Sequence, residues 1–265
     1  MPQSASVYRF NSALVREPSR SVVFGLRAQD RGAPTYEGVK GEHEAYVGAL
    51  RTAGVEVTVL PPLEDFPDSI FIEDPALVFT EGAIVLRPGA PTRTGEAAAI
   101  EPVLRARFST VLELAAGGFA DGGDVLVTSK RVFIGRSSRT DAAGARALAD
   151  CLMKLGRPSE IISTPKDVLH FKTDCSLVDD ETVLSTARLA QAGIFKDFRQ
   201  LIVPSGEEAA ANALRVNEVV MVGSQYPRTI EMLDRAGFVV VALDTREIGK
   251  IDAGLSCMSL RWLAS

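Results

Sequence analysis

The feature that most constrains this chain is a unit of two strands, a helix and a third strand that recurs along its length. Four segments each hold two apolar or β-branched runs separated by a short polar turn, which is the pattern of a β-hairpin. These segments are residues 76–86, 125–135, 176–185 and 213–223. Each is followed by a helix-like stretch and then by a closing strand, predicted at residues 111–114, 160–163, 201–204 and 238–243. The clearest helix is predicted to begin after Thr140 as its N-cap and to end near Gly156.

The two ends of the chain supply a fifth copy only if they come together. Residues 256–263 and 12–15 would form its hairpin, 42–53 its helix and 55–60 its last strand. A unit shared between both ends predicts a closed ring of five ββαβ modules with pseudo-fivefold symmetry. The uneven spacing of the copies fits diverged modules rather than a solenoid of near-identical repeats. An open α/β sheet with helices on both faces fits the same pattern, and the residues alone do not decide between the two.

Composition excludes several classes of function. A net charge of −5 argues against nucleic-acid binding, which needs a basic face, and is compatible with a small cationic ligand. No apolar run approaches the ~18 residues needed to span a bilayer, and the first ten residues lack the apolar core of a signal peptide. Three cysteines do not make a disulfide framework, so we expect a cytoplasmic protein with reduced thiols. Because no linker stands out, residues 1–265 are interpreted as one catalytic domain in which both termini complete one module.

A polar or acidic cluster precedes each of the five predicted hairpins. The clusters are Asp68 with Glu73-Asp74, Asp121-Gly-Gly-Asp124, His170 with Asp174, Glu207-Glu208 with Asn212, and Asp252 with Cys257. In a radial arrangement they would meet at one axis and combine a cysteine, a histidine and several carboxylates. Such a site suits a guanidinium, because its planar fork donates hydrogen bonds to carboxylates in pairs.

Two of the three cysteines compete as nucleophile. Cys257 follows a turn of small residues, which would expose its thiol at the end of an element. Cys175 follows His170 closely, but it precedes a strand and fits a core position equally well. Cys151 lies within a predicted helix and is interpreted as a core residue. The residue pattern alone therefore does not decide whether Cys257 or Cys175 is the nucleophile.

His170 is one of only two histidines and is the candidate proton donor near neutral pH. His43 lies between Glu42 and Glu44, so we predict a solvated surface position for it. Asp121 could orient His170 as the third member of a triad does, although a simple turn is the competing interpretation. With one suitable histidine and no CxxC pair, no metal site is predicted.

Acids and arginines complete the candidate site. In an extended strand Asp68 and Asp74 share one face, while Glu73 points to the other. Acids flanked by apolar residues are unfavourable to bury unless a cation meets them. Arg93, in a loop, and Arg139, before a helix, could form a carboxylate pocket or belong to surface ion pairs.

Motifs spread in order along the chain carry a family resemblance. They are Glu44-Ala-Tyr-Val-Gly-Ala-Leu50, Ser69-Ile-Phe-Ile-Glu-Asp74, Arg87-Pro-Gly-Ala-Pro91, Asp121-Gly-Gly-Asp-Val-Leu126, Ser138-Arg-Thr140, Leu169-His170 and Ile251-Asp252 through Cys257. Together they resemble the dimethylarginine dimethylaminohydrolase family of the guanidino-modifying pentein superfamily. The resemblance implies a five-bladed α/β propeller of ββαβ modules, in agreement with the ring.

The resemblance also implies an activity. It predicts hydrolysis of Nω-methylated arginines, both asymmetric dimethylarginine and monomethylarginine, to citrulline plus dimethylamine or methylamine. Cys257 would be the nucleophile and form a covalent thiouronium intermediate, His170 would be the general acid and base, and Asp121 its acidic partner. No cofactor is implied, and a homodimer is left open.

The same resemblance implies contacts between the substrate and the remaining candidates. Asp74 and Glu73 would hold the guanidinium, Asp68 with the carbonyls of Leu26 and Ile251 the α-ammonium, and Arg93 with Arg139 the α-carboxylate. The alternative hypotheses are an arginine deiminase-type hydrolase, an amidinotransferase and a non-catalytic arginine-binding module.

Overall fold

The fold is a closed ring of five small sheets. The computed structural model describes residues 6–28, 30–166 and 168–264. Within them the strands form five three-stranded sheets. In each sheet the first strand along the module is antiparallel to the second, and the second is parallel to the third. A helix connects the second strand to the third, as a parallel pair requires.

The modules follow one another along the chain with closely similar content. In chain order the elements are β1 (Ser12–Arg16), α1 (Tyr36–Thr52), β2 (Glu56–Leu60), β3 (Ala76–Phe79), β4 (Gly82–Val85), α2 (Thr94–Arg105), β5 (Val111–Glu113), β6 (Val125–Val127), β7 (Val132–Arg136), α3 (Ala142–Lys154), β8 (Ser159–Ser163), β9 (Cys175–Leu177), β10 (Thr182–Ser185), α4 (Ala187–Gln191), β11 (Arg199–Ile202), β12 (Leu214–Val216), β13 (Val219–Gly223), α5 (Pro227–Arg235), β14 (Val239–Leu243) and β15 (Leu260–Trp262). None of the described helices is both long and apolar enough to cross a membrane.

The two ends of the chain complete one module together. Strand β15 pairs antiparallel with β1, with Leu14 opposite Leu260, and β1 pairs in parallel with β2. This pairing confirms the fifth copy and the five-bladed α/β propeller. The open-sheet alternative is wrong, because the strands lie in five separate sheets.

The first strands of the modules surround the ring axis. Residues of β3, β6, β9, β12 and β15 line one cavity of about 220 Å³, which we call the rear cavity. The third strands lie outermost: only one residue of β2 is buried and none of β14. Each sheet therefore directs one end of its first strand toward a common point, where the preceding segments of all five modules can meet.

Helix α3 shows where the capping prediction was off by one residue. Asp141, not Thr140, is the N-cap, and its carboxylate accepts the N–H of Gly144 at 2.6 Å. Thr140 instead donates its hydroxyl to Asp124 at 2.6 Å. The end near Gly156 is confirmed, with this glycine at φ +73°. Cys151 is buried in the helix, as predicted.

The prediction of a solvated position for His43 is wrong. His43 is only 3% exposed, and within the described part of the chain its Nε2 has no hydrogen-bond partner. Its neighbour Glu42 is buried as well, and the carboxylate accepts the backbone N–H groups of Glu247 and Ile248. The charged residues around His43 gave no hint that this face of α1 packs inward.

Candidate active site

The segments that precede the first strands of several modules converge on one small pocket. It is lined by most of the predicted site residues, namely Leu26, Asp68, Asp74, Arg93, Arg139, His170, Ile251 and Cys257. Phe71, Leu169, Asp252 and Ala253 complete the lining. Residues far apart in the sequence are therefore brought together as the radial arrangement predicts.

The structure separates the two competing cysteines. Cys257 lies in a short 3-10 helix, Leu255–Met258, directly before β15, and it lines the pocket. Cys175 is fully buried in β9, where its thiol donates to the carbonyl of Phe171 at 3.4 Å. Cys175 is therefore a core residue, and Cys257 is the thiol that a ligand in the pocket can reach.

The environment of Cys257 disfavours the thiolate. Burial raises the pKa of the Cys257 thiol above its ordinary value, and the negative charges of Asp74 and Glu73 act in the same direction. A cation bound beside the sulfur would oppose those carboxylates. The Cys257 thiol is accordingly neutral at neutral pH in the structure.

His170 and Asp121 form a hydrogen-bonded pair. The Nε2 of His170 lies 3.0 Å from the Oδ2 of Asp121, and Asp121 is fully buried. Burial acts against the imidazolium, but Asp74 and the hydrogen bond to Asp121 outweigh it, together with the charge of Asp124, and raise the pKa of His170 to about 9. The imidazole is therefore protonated at neutral pH and can donate a proton.

The two glycines of Asp121-Gly-Gly-Asp124 do more than form a turn, because they let other site segments pack directly against the backbone. A Cβ on Gly122 would lie 2.0 Å from the carbonyl oxygen of Glu73. A Cβ on Gly123 would lie 2.8 Å from Cγ of His170 and 2.9 Å from Oδ1 of Asp74. Only a residue without a side chain lets the imidazole approach the backbone here.

Asp124 ties together three segments that carry site residues, a role that the sequence analysis did not assign. Its Oδ2 accepts the hydroxyls of Ser137 and Thr140, both at 2.6 Å. Its Oδ1 accepts the backbone N–H of Phe171 at 2.8 Å. Because Arg139 and His170 are sequence neighbours of these partners, Asp124 fixes their relative positions.

Asp74 is held by an arginine of the protein itself. Arg93 donates from Nη1 to Asp74, from Nε and Nη2 to Glu96, and from Nη2 to the carbonyls of Asp68 and Phe71. Burial favours a protonated Asp74, but the charges of Arg93 and His170 prevail and keep the pKa of Asp74 below its usual value. The guanidinium of Arg93 thus occupies the acidic part of the pocket.

Asp68 and Arg139 flank the pocket with opposite charges. Asp68 is 5% exposed, and its Oδ1 accepts the backbone N–H of Leu26 at 2.9 Å. Burial raises the pKa of Asp68, an effect that the charge of Arg93 opposes. The Arg139 guanidinium has neither a hydrogen bond nor an ion pair to any residue that the structure describes. A free guanidinium at a pocket is a fitting partner for a carboxylate.

Glu73 is the predicted substrate contact that the structure does not bring into the pocket. Its carboxylate faces the rear cavity, where Lys172 Nζ lies 2.6 Å from Oε2 and Arg261 Nη2 donates to Oε1 at 3.0 Å. The alternation along an extended segment had indicated this opposite orientation. Its backbone remains near the site, because the Glu73 N–H donates to the Cys257 carbonyl at 3.2 Å.

The Glu207–Asn212 cluster, which received no role from the sequence, divides between two functions. Glu207 accepts the backbone N–H groups of Arg228 and Thr229 at 3.2 and 2.8 Å, so it caps the start of α5. Asn212 instead reaches the pocket region, where its Nδ2 lies 3.7 Å from Sγ of Cys257. The signal in the sequence was positional, since Asn212 precedes the fourth hairpin just as the other clusters precede theirs.

One group of side chains has the spacing of metal ligands. Among the described residues, ligand atoms of Asp74, Asp121 and His170 lie within 4.8 Å of one another. Arg93 already places a positive charge on Asp74, and His170 already bonds to Asp121. The three side chains therefore already have partners within the protein at these atoms.

Known proteins resemble this chain over almost its whole length. Residues 61–202 match the arginine deiminase family. A dimethylarginine dimethylaminohydrolase of Pseudomonas aeruginosa is 39% identical over 254 residues, covering 96% of this chain and 100% of that protein. The corresponding enzyme of Streptomyces coelicolor is 32% identical over 253 residues, covering 94% of this chain and 96% of its own.

Solved structures agree in fold. A solved structure of a cysteine-to-serine mutant of the Pseudomonas aeruginosa enzyme, complexed with citrulline, matches with a TM-score of 0.93 at 39% identity, covering 96% of this chain and 100% of that one. The N-terminal domain of an arginine dihydrolase, ArgZ, matches with a TM-score of 0.84 at 19% identity, covering 94% of this chain and 96% of that one, and so shares the fold. The chain therefore belongs to the dimethylarginine dimethylaminohydrolase family.

Proposed function

We propose that this protein hydrolyses Nω-methylated arginines to citrulline and dimethylamine or methylamine. The observation that carries the proposal is a pocket in which a thiol, a protonated histidine and a buried carboxylate converge, from Cys257, His170 and Asp74. The unpaired guanidinium of Arg139 adds a partner for an α-carboxylate. Two relatives more than 30% identical are named for this activity, and one of them has been solved with citrulline.

Substrate binding exchanges one guanidinium for another. Asp74 is engaged by Arg93 in the structure described here, so a substrate guanidinium must displace Arg93 from it. Arg93 then becomes available, with Arg139, to hold the α-carboxylate. Asp68, together with the carbonyls of Leu26 and Ile251, holds the α-ammonium. Glu73 contributes its charge from the rear cavity rather than a direct contact.

The first half of the reaction forms a carbon–sulfur bond. Asp74 orients the guanidinium so that its carbon faces Cys257, and the bound cation favours the thiolate, so the Cys257 thiol releases its proton to solvent. The Cys257 sulfur adds to the guanidinium carbon to give a tetrahedral adduct. His170 transfers its proton to the methylated nitrogen, the C–N bond breaks, and neutral dimethylamine leaves. The remaining thiouronium is bonded to Cys257 and carries the positive charge.

The second half consumes one water. Neutral His170, oriented by Asp121, takes a proton from water, and the resulting hydroxide adds to the thiouronium carbon. The C–S bond then breaks and its electron pair returns to the Cys257 sulfur. The hydroxyl proton of the adduct passes to that sulfur as the ureido group of citrulline forms. These steps return the protonated His170 and the free Cys257 with which the cycle began, and they need no group beyond the chain and water.

The test is turnover with citrulline as the measured product. Purified protein incubated with asymmetric dimethylarginine, monomethylarginine and arginine in parallel should form citrulline fastest from a methylated substrate. Cys257→Ser should abolish turnover, whereas Cys175→Ser, a matched change at a core thiol, should retain it. Preference for arginine would favour the deiminase alternative, and guanidinoacetate formed on adding glycine would favour the amidinotransferase. Normal turnover by Cys257→Ser would contradict the covalent mechanism.

We also propose that residues 1–265 act as one catalytic domain on a small cationic amino acid. We place the protein in the cytoplasm and propose that it assembles as a homodimer. Support for the single domain comes from the joint module formed by both ends of the chain. Sedimentation equilibrium of the purified protein tests the dimer, and a mass equal to one chain would contradict it.

A further inference from the structure

Two polar side chains outside the proposed catalytic set contact the sulfur of Cys257 in the described structure, and Asn212 lies closer to it than Ser256 does. Its Nδ2 lies 3.7 Å from Sγ, and its Oδ1 accepts the backbone N–H of Ser256 at 3.2 Å. Asn212 itself follows the 3-10 helix Glu208–Ala211, in a different module from Cys257. The side chain therefore bridges two modules at the nucleophile.

We propose that Asn212 is a catalytic residue that donates its amide N–H to the Cys257 thiolate and holds the turn that carries it. This inference rests on the proposed function in one respect, namely that Cys257 is the nucleophile.

The orientation of the amide follows from its partners. The backbone N–H of Ser256 can only donate, so the atom that faces it must be the amide oxygen. The NH₂ end is then the one directed at Cys257. A thiolate accepts such a hydrogen bond far better than a thiol does, because a charged acceptor strengthens the bond.

Packing fixes the amide before any ligand arrives. A Cβ on Gly254 would lie 2.3 Å from Cγ of Asn212 and 2.6 Å from its Nδ2, so the amide lies directly against the backbone of the turn. Cys257 is part of the same turn, since its N–H donates to the Gly254 carbonyl at 3.2 Å. The donor needs no reorganisation when charge develops on the sulfur, which is the condition for effective electrostatic stabilisation.

The Asn212 amide N–H would stabilise negative charge on the Cys257 sulfur, which other groups around the sulfur disfavour. The negative charges of Asp74 and Glu73 favour the neutral thiol over the thiolate, because they raise the pKa of Cys257. The hydroxyl of Ser256 is farther from the sulfur than the amide is, at 4.0 Å. In the proposed mechanism the sulfur is anionic twice, before attack and when it leaves the second adduct. A donor on Sγ lowers the free energy of both states more than that of the resting thiol.

The experiment measures the thiol directly. Alkylation of Cys257 by iodoacetamide is followed against pH in the absence of substrate, with the modified peptide quantified by mass spectrometry. Asn212→Ala should raise the midpoint of this profile by about one pH unit and lower kcat/KM for dimethylarginine by roughly 100-fold, the effect of losing one such donor. Asn11→Ala, the same change at an exposed asparagine remote from the pocket, should leave both quantities unchanged.

The alkylation midpoint decides between catalysis and structure. If Asn212 only shapes the turn, activity falls but the midpoint stays at the wild-type value, and the proposal is overturned. Should Asn212→Ala not fold, as judged by circular dichroism, Asn212→Ser gives the same readout with a smaller cavity. Because alkylation needs no substrate, a shifted midpoint without methylarginine turnover by the wild type would sink the proposed function and leave the Asn212 contact standing.

Discussion

The two histidines are both buried, yet their surroundings move their pKa values in opposite directions. His170 faces Asp74 and Asp121, and these carboxylates raise its pKa to about 9. Around His43 burial acts without an opposing carboxylate and lowers its pKa to about 4. A charge at His170 is therefore part of the native state, whereas a charge at His43 opposes it.

His43 should make the protein sensitive to mild acid. Its pKa is about 4 when folded and 6.5 unfolded, so below pH 6.5 the unfolded chain binds the proton first. The contribution of neutral His43 to the free energy of unfolding is therefore full above pH 6.5 and is lost as the pH falls toward 4. From pH 7 to pH 5 the wild type should lose about 2 kcal/mol more unfolding free energy than His43→Leu. Urea titrations of both proteins at both pH values measure this difference, and equal losses would contradict it.

At the scale of elements, the short segments between modules carry the candidate catalytic residues. The 3-10 helices Gly122–Asp124 and Leu255–Met258 each lie directly before a first strand. Each directs a compact turn toward the pocket while the strand that follows anchors it in the core. Glycines within these turns set how closely neighbouring modules approach.

Gly123→Ala should impair catalysis through this close approach. The added methyl would meet Cγ of His170 at 2.8 Å and Oδ1 of Asp74 at 2.9 Å, so one of these groups must shift. We expect kcat for dimethylarginine to fall at least 10-fold, since small displacements of a catalytic group cost about that much or more. Gly48→Ala is the matched control, because it lies in α1 with open space at its Cβ position. An unaltered kcat in Gly123→Ala would show that the imidazole position is not critical.

The sequence predicts these elements better than it predicts which way their side chains face. The four hairpins could be anticipated because apolar alternation and polar turns are local signals, whereas the ring was favoured over an open sheet only by the family resemblance. Glu73 and Asp74 are adjacent, so one residue of register decides which of them meets the pocket. The burial of His43 and the contact of Asn212 depend on packing between segments distant in sequence. For His43 no local pattern indicates burial, and for Asn212 the position before the fourth hairpin indicates the region but not the contact with Cys257.

At the scale of the whole molecule, ring closure joins the modules into one structure. A three-stranded sheet of such short strands is marginal alone, and here the cores extend across modules. One hydrophobic cluster contains Leu14 and Leu260 of the terminal module. The same cluster contains Ala76, Ala83 and Val85 of the next module. Opening the pair β1–β15 would expose this shared core, so the ends of the chain cannot separate without cost to the adjacent module.

Unfolding should therefore be a single cooperative transition in which the terminal module does not open first. Trp262, the only tryptophan, lies in β15, and the centroid of its ring is 5.1 Å from that of Phe108. Its fluorescence therefore reports on the closure of the ring of modules. In urea, fluorescence and far-ultraviolet circular dichroism should share one midpoint. Leu14→Ala should lower both midpoints together, at a cost of about 2–5 kcal/mol. Leu184→Ala, equally buried in another module, should do the same, whereas a fluorescence midpoint lowered alone by Leu14→Ala would mean that the ring opens before it unfolds.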